Sequence, residues 1–525
     1  RTRLDNIKVM FFVGINDGNV PKKADSRSVL SESDREYLEN KGIVMSASVR
    51  EKAFTQRFYL YLIMTKSAEK LYMSYAVKNS EGAVLMPSYI IRNMRKMFSH
   101  CLKLSYKDTA QQNSYVTIPR AANSFDNTEI AANIDEDIID SLTGGRLVGS
   151  VTSFENFAEC PLRYYLRYGV DLKEREEFTF SPVNFGVVLH AVIREVCDEI
   201  KKNGESYYLI SEEKRREMVK RSVAAITDIY QNSILKDSSR NSFMIKRMED
   251  LADRTIWAMG EQLKCGDFVP FVFEHKFNME VGDGDRKQLM SGTIDRVDIC
   301  ENGTDVYVRI IDYKTGKKDF NIVKTYYGID IQLMVYMEAA MKLVAKMRPG
   351  KNVIPAGVFY YNISDPIVSA TTESAEEIED KIKGELRLKG MVNSDKDIAE
   401  KMDNTEGTSL NIPVSRKADG GFDSRRSKVM NTEQFNILGR FVDVRAIDTA
   451  DRIVGGDIRR SPYKDGQFSS CDRCPYGAVC GFSVDLPGCN YRKLKKFDDE
   501  VLWNNIKEGV DENGKKMDTG AEERD

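Results

Sequence analysis

Two aspartates and a lysine on adjoining β-type segments are the residues best placed to do chemistry. Segments 290–300 (MSGTIDRVDIC) and 305–315 (DVYVRIIDYKT) alternate as antiparallel strands do, and Asn302-Gly303 between them is a strong hairpin signal. A loop symmetric about those two residues places Asp295 opposite Ile310 and diagonal to Asp312. Alternation then gathers Asp295, Asp312 and Lys314 on one face with Thr293, Val297, Ile299, Val306, Val308 and Ile310. Two carboxylates on so apolar a surface must share a proton or hold a cation. Oxygen ligands with one side open to water select a hard ion, Mg2+ or Mn2+, with Lys314 projecting beside it. The competing reading is structural: a salt bridge of Asp295 or Asp312 with Lys314 or Arg296 on a solvated face. The apolar neighbours favour the cation.

A second cluster is sulfur. The chain has nine cysteines, of which Cys101, Cys197, Cys265 and Cys300 are scattered and read as small buried hydrophobes. CDRCPYGAVC is different, because Cys471, Cys474 and Cys480 stand at the spacing of a shared metal centre. The fourth ligand is Cys489, close in sequence, or Cys160, which precedes Pro161. Spacing leaves zinc and iron–sulfur both open.

Around these residues the chain has the length and composition of two or three folded domains: 525 residues, 41% hydrophobic and 30% charged. A net charge of −3 gives no global basic field, so any polyanion site must be local. No segment reads as a signal peptide or membrane span, and the expectation is a cytosolic protein. The first residue is Arg1, not Met, which leaves open that the chain is a segment of a longer one. The pattern predicts α/β architecture. Strand 7–15, a helix at 50–65 and strand 71–76 form a first layer. A polar linker fills 107–150. Helices follow over 151–168, 184–202, 211–235 and 240–264, then strands from 271 to 315, a helix at 329–347, a strand at 353–363, a helix at 431–450 and a disordered tail over 496–525. The first helix takes Thr152 or Ser153 as N-cap, with Glu155 or Asn156 in its first turn. No GxxxxGK[ST] occurs, so nothing cradles a triphosphate.

SGTIDRVDI (291–299), IIDYKTGK (310–317), DIQLMVYMEA (330–339) and, upstream, FGVVLH (185–190) resemble, in order, the motifs of the RecB-type branch of the PD-(D/E)xK nucleases. The resemblance implies a nuclease domain over 151–495, a central mixed sheet flanked by helices. It implies that Asp295 and Asp312 bind Mg2+ or Mn2+ with help from the Tyr313 carbonyl, and that Lys314 orients or activates the attacking water. His190 becomes an imidazole ligand, although a lone helical histidine is by itself more often packed than ligating, and Gly186 on the same face lets backbone or DNA come close. Gln332 and Tyr336, one helical turn apart, match QxxxY and contact substrate or support Lys314. Glu274 is a further acidic candidate. One subgroup of these nucleases carries a [4Fe–4S] cluster on one cysteine before the core and three after it. Cys160, Cys471, Cys474 and Cys480 match that pattern, a cross-link removing roughly 5 to 6 kcal/mol of unfolded-state freedom.

KVMFFVGINDGNVP (8–21) and QRFYLYLIMTKSAEKLYMSY (56–75) resemble late motifs of UvrD-like superfamily 1 helicases. Thr65-Lys66-Ser67 stands where those have Thr-Arg-Ala, so residues 1–106 read as an inactivated helicase-like part, without ATPase activity of its own. The whole layout, with EGAVLMPSYII (81–91) and ELRLKGMV (385–392), resembles the second subunit of the AddAB-type helicase–nucleases. That implies an AddA-type motor subunit as partner, DNA ends as substrate and cutting of the 5′-terminated strand during double-strand break repair. The alternatives are a stand-alone iron–sulfur exonuclease, or a non-catalytic scaffold using the basic clusters Arg425-Arg426-Ser427-Lys428, Arg459-Arg460 and Arg492 to Lys496.

Overall fold

The computed structural model describes residues 7–22, 31–43, 47–78, 84–98, 100, 133–135, 137–139, 148–173, 182–229, 239–281, 288–369, 374–484 and 489–522. The chain divides into two compact units, Arg1–Thr117 and Ile118–Asp525. Cys101 and most of the expected linker 107–150 lie outside the described residues. No helix among the described residues is long and apolar enough to cross a membrane.

In the first unit β1 (Val9–Phe12) and β2 (Lys70–Met73) pair in parallel. Parallel pairing needs a long crossover, and α1 (Glu32–Asn40) and α2 (Val49–Met64) lie between them in sequence. Both helices start in capping boxes, Ser31 with Asp34 and Ser48 with Glu51. Buried Asn16 ties the loop after β1 to residue 76: its amide donates to the Ala76 carbonyl at 2.7 Å and its oxygen accepts from the Ala76 N–H at 3.1 Å.

The second unit is a sheet between two helical layers. Its central strands are β4 (Val269–Val281), β5 (Gln288–Asn302), β6 (Asp305–Lys314) and β7 (Asn352–Asn362). β4 and β6 pair antiparallel with β5, and β7 runs parallel to β6, so the sheet is mixed as expected. β6 is buried on both faces. Val306, Val308 and Ile310 pack into one core with the helix Gln332–Met347, while Tyr307, Ile311 and Tyr313 pack into the other with the helices Pro182–Lys202 and Ser239–Lys264. A strand covered on both sides reads as a nearly continuous apolar run, which VYVRIIDY is.

Four expectations are corrected. The helix starting at Val151 takes Ser150 as its N-cap, its hydroxyl accepting from the Ser153 N–H at 3.1 Å. It stops at Glu159 rather than running to 168, because Pro161 forces Cys160 into extended backbone (φ −167°, ψ 116°), and a new helical turn begins at Pro161. β3 (Val148–Ser150), the end of the expected linker, is a strand paired in parallel with β5. The tail expected to be disordered from 496 holds a helix, Asp499–Glu522, whose Leu502 and Ile506 are buried in the core. Its apolar residues are too few for composition to reveal and sit at a spacing of four, which puts them on one face.

Candidate active site

The hairpin that carries the acids turns at Gly303-Thr304, not Asn302-Gly303. Asn302 pairs with Asp305, Gly303 adopts φ +60°, and Val297, not Asp295, lies opposite Ile310. The register is thus two residues from expectation. A two-residue change preserves parity, so the single face for Asp295, Asp312 and Lys314 survives it.

The ladder between β5 and β6 ends at Arg296 and Ile311. Beyond that pair β6 continues along β7, while among the described residues β5 has no strand partner on that edge until Ser291 meets Ser150. Asp295 and Asp312 are therefore the first residues past the point where the strands part. The Tyr313 N–H, freed from the ladder, donates to Asp295 Oδ2 at 2.7 Å. A backbone donor that loses its sheet partner must find another, and here the replacement fixes the carboxylate.

His190 reaches the same carboxylate from the helix Pro182–Lys202, its ring edge-on to Tyr313 with centroids 6.0 Å apart. Its Nδ1 is 3.5 Å from Asp295 Oδ2 and 3.7 Å from Glu274 Oε1. One ligand atom from each of His190, Glu274 and Asp295 falls within 4.8 Å of the others, the span of a metal's coordination shell. Glu274 attains this position with a left-handed backbone, φ +47°, in the middle of β4. A non-glycine residue held there costs about 1 to 3 kcal/mol, and such strain collects at functional sites. The sequence marked Glu274 only as an acid near the motif. A conformation so unlike its neighbours' leaves no trace in residue type.

Asp312 stands beside this triad, almost fully buried, with Lys314 Nζ 2.5 Å from its Oδ2. That contact is ionic without hydrogen-bond alignment. Burial, with the Asp295 charge added and Lys314 opposing, pushes the Asp312 carboxyl up to about 7. Burial works against a charged His190, but the Asp295 and Glu274 carboxylates outweigh it and push the imidazole up to about 10. Near neutral pH His190 therefore carries a proton, which any divalent ion bound there would have to displace. His190, Asp295, Asp312 and Glu274 supply the hard-donor and imidazole set such an ion requires.

Gln332 and Tyr336 are bonded to each other, Gln332 Nε2 donating to Tyr336 Oη at 2.9 Å, rather than to Lys314. Tyr336 stacks edge-on against Phe277, and the pair fits only because residue 292 is glycine: a Cβ there would lie 2.7 Å from the Phe277 ring. Burial, with Asp312 and Asp295 nearby, raises the Tyr336 phenol far above its ordinary value. Gly186 faces Thr315, which a Cβ would meet at an ordinary 3.5 Å, so close approach does not require glycine there. The sequence missed Glu155, which caps the helix Gln332–Met347 from 176 residues away. Its Oε1 accepts from the N–H groups of Ile331 and Gln332 at 2.9 and 3.0 Å. Ile331 has no side chain able to cap, the one signal that the cap must come from elsewhere.

The four cysteines of the sulfur cluster line one small cavity with Leu162, Leu166, Pro462, Tyr476 and Phe482, whereas Cys489 is buried without lining it. Arg492 joins the two ends of the site, its guanidinium donating to the carbonyls of Ala158, Glu159 and Ser461. Among the described residues no three of the cysteine sulfurs lie within 4.8 Å of one another. Around zinc, with Zn–S near 2.3 Å, they would stand about 3.8 Å apart. A cluster that binds each thiolate through a different iron spreads them wider, and the cavity is compatible with one. The basic clusters offered for a scaffold are engaged in part within the fold: Arg459 on Asp457, Arg460 on the Cys480 carbonyl and Lys428 on Asp319.

A hairpin parted at two acids, with a lysine two residues on, is an arrangement suited to holding a divalent metal beside a phosphodiester. The family model described as the PD-(D/E)XK nuclease superfamily matches residues 149–481, and the chain belongs to that superfamily. Nearly the whole chain is also homologous to AddB, one of the subunits of the ATP-dependent helicase/deoxyribonuclease. It is 30% identical to the AddB of Clostridium acetobutylicum over 571 residues (98% of this chain, 49% of the relative) and 31% identical to that of Lachnoclostridium phytofermentans over 575 (100% and 49%). The Caldanaerobacter subterraneus subsp. tengcongensis protein is 31% identical over 583 residues, 100% of this chain and 50% of the relative. The chain spans about half the length of these curated relatives.

Proposed function

We propose that this chain is the nuclease-bearing part of an AddB-type protein: a divalent-metal-dependent deoxyribonuclease that degrades single strands at broken DNA ends for recombinational repair. The observation that carries it is the meeting of His190, Glu274 and Asp295, with Asp312 and Lys314 beside them, where β5 and β6 part. A divalent ion held there supplies positive charge against a phosphoryl oxygen and a more acidic water. Lys314 offsets charge that develops as the phosphodiester is attacked. Asp295, fixed by the Tyr313 N–H, and His190 keep the ligand set in place before the ion arrives. Gln332 and Tyr336, the phenol close enough to feel the Asp312 charge, orient the strand.

The helicase-like segments 8–21 and 56–75, with Thr65-Lys66-Ser67 in place of the arginine motif, support a non-hydrolysing partner of an AddA-type motor, and the shared layout supports action on the 5′-terminated strand. Single-stranded DNA labelled at either end tests the reading. With Mg2+ the chain is expected to release short oligonucleotides and with EDTA none. Intact DNA in Mg2+ would refute it.

We assign the sulfur site to a [4Fe–4S] cluster on Cys160, Cys471, Cys474 and Cys480, a staple joining the two ends of the nuclease domain. After anaerobic purification the expected content is about four irons per chain, with the absorption of a cluster. Cys160→Ser should lose both, and Cys489→Ser should keep both. A colourless protein loaded with zinc would contradict the assignment.

A further inference from the structure

A second lysine, Lys318, is held beside the acids by contacts that fix both its backbone and its side chain. The Lys318 N–H donates to Asn362 Oδ1 at 2.9 Å, and Asn362 Nδ2 donates back to the Lys318 carbonyl at 3.0 Å, so one β7 side chain clamps this residue. Its Nζ lies 3.0 Å from Asp330 Oδ1 and 4.5 Å from the Tyr360 ring centroid. Tyr360 Oη donates to that same Asp330 oxygen at 2.7 Å, and Lys314 Nζ lies 5.6 Å from the same ring. Two ammonium groups thus share one fully buried aromatic ring, that of Tyr360, which lies opposite Asp312 on the neighbouring strand.

Neutralising Asp330 requires only the Lys318 ammonium, since the Tyr360 hydroxyl that bonds the same carboxylate carries no charge. It does not require the clamp, because an ordinary lysine ion pair leaves the backbone free. Lys318 instead has little conformational freedom left to lose, while its side chain remains one-third exposed and within reach of a ligand. Lys314, paired with Asp312, serves the phosphodiester being cleaved, so the neighbouring phosphate calls for a different cation. We propose that Lys318 is a second phosphate-binding cation of the nuclease site, contacting the phosphodiester next to the one cleaved. This rests on the nuclease reading above and names a substrate contact within it.

Salt dependence separates a phosphate contact from a structural ion pair. Each phosphate contact on a single strand contributes about −0.7 to the slope of log affinity against log salt. Fluorescence anisotropy of labelled oligo-dT, with EDTA present so that the strand stays intact, should show Lys318→Met weakening binding about tenfold at low salt and flattening that slope by about 0.7. Lys318→Arg should restore both. The double variant Lys318→Met with Asp330→Asn removes the ion pair without stranding Asp330, and should flatten the slope equally if the single variant folds poorly. A wild-type slope in the folded variants would overturn the proposal while leaving the nuclease reading intact, provided the wild-type chain cuts DNA with Mg2+. A wild-type chain that cuts nothing would overturn both.

Discussion

Replacing Asp312 by Asn is expected to cost at least about a thousandfold in Mg2+-dependent DNA cleavage, and to make the metal-free protein more stable. Both effects have one origin. Asp312 is buried against Asp295, with Lys314 as its nearest countercharge and Lys318 acting more weakly, and its carboxyl is pushed up to about 7. A raised carboxyl pKa means that the folded state disfavours the ionised form. The cost is absent below the unfolded value near 3.8, grows as pH rises toward 7 and is complete above it. Asn keeps the shape and removes that charge. Thermal unfolding of the metal-free variant should therefore match wild type near pH 4 and exceed it at pH 8, by an amount on the order of a few kcal/mol. Saturating Mg2+ should narrow or reverse the gap, because the ion binds only the wild-type site well. A variant that cleaves at the wild-type rate, or one equally stable at both pH values, would break this account.

The second large effect lies on the opposite face of the same strands. Asp298 sits between Arg296 and Arg309 with all three side chains essentially inaccessible. Arg296 Nη2 is 2.6 Å and Arg309 Nη2 2.8 Å from Asp298 Oδ2. Burial alone would neutralise the acid, but the two guanidiniums hold its carboxyl below the usual carboxylate range. Asp298→Ala leaves two cations in the core with no counterion, a change expected to cost about 3 to 5 kcal/mol. For a marginally stable domain that is much of what holds it folded. The check is chemical denaturation of Asp298→Ala beside a triple variant, Arg296→Met, Asp298→Leu and Arg309→Met. The triple variant should recover most of the loss, because apolar side chains of similar volume often replace a buried ion cluster without penalty. A single variant as stable as wild type would show that the triad contributes little.

That triad also shows what residue patterns can and cannot resolve. Arg296 was a candidate partner for Asp295 or Asp312, yet alternation sends it to the other face, where it meets Asp298. Period-two alternation was enough to place Asp295, Asp312 and Lys314 together, and it survived an error in the turn because the error was even. Contacts depending on backbone departure from regular geometry were hidden. Nothing in the sequence marks Glu274 at φ +47°, the parting of β5 from β6 after Arg296, or the clamp of Asn362 on Lys318. The choice of Cys160 over Cys489 rested on family resemblance, and the structure brings Cys160 to the cavity through Arg492, a basic residue that charge counting had grouped with a surface cluster.

The most direct test is where a divalent ion sits. Crystals soaked in Mn2+ should give an anomalous scattering peak enclosed by His190, Glu274 and Asp295 with Asp312 alongside, and Asp295→Asn should remove it. A peak elsewhere, or none at millimolar Mn2+, would contradict the claim that these side chains form a metal-dependent nuclease centre.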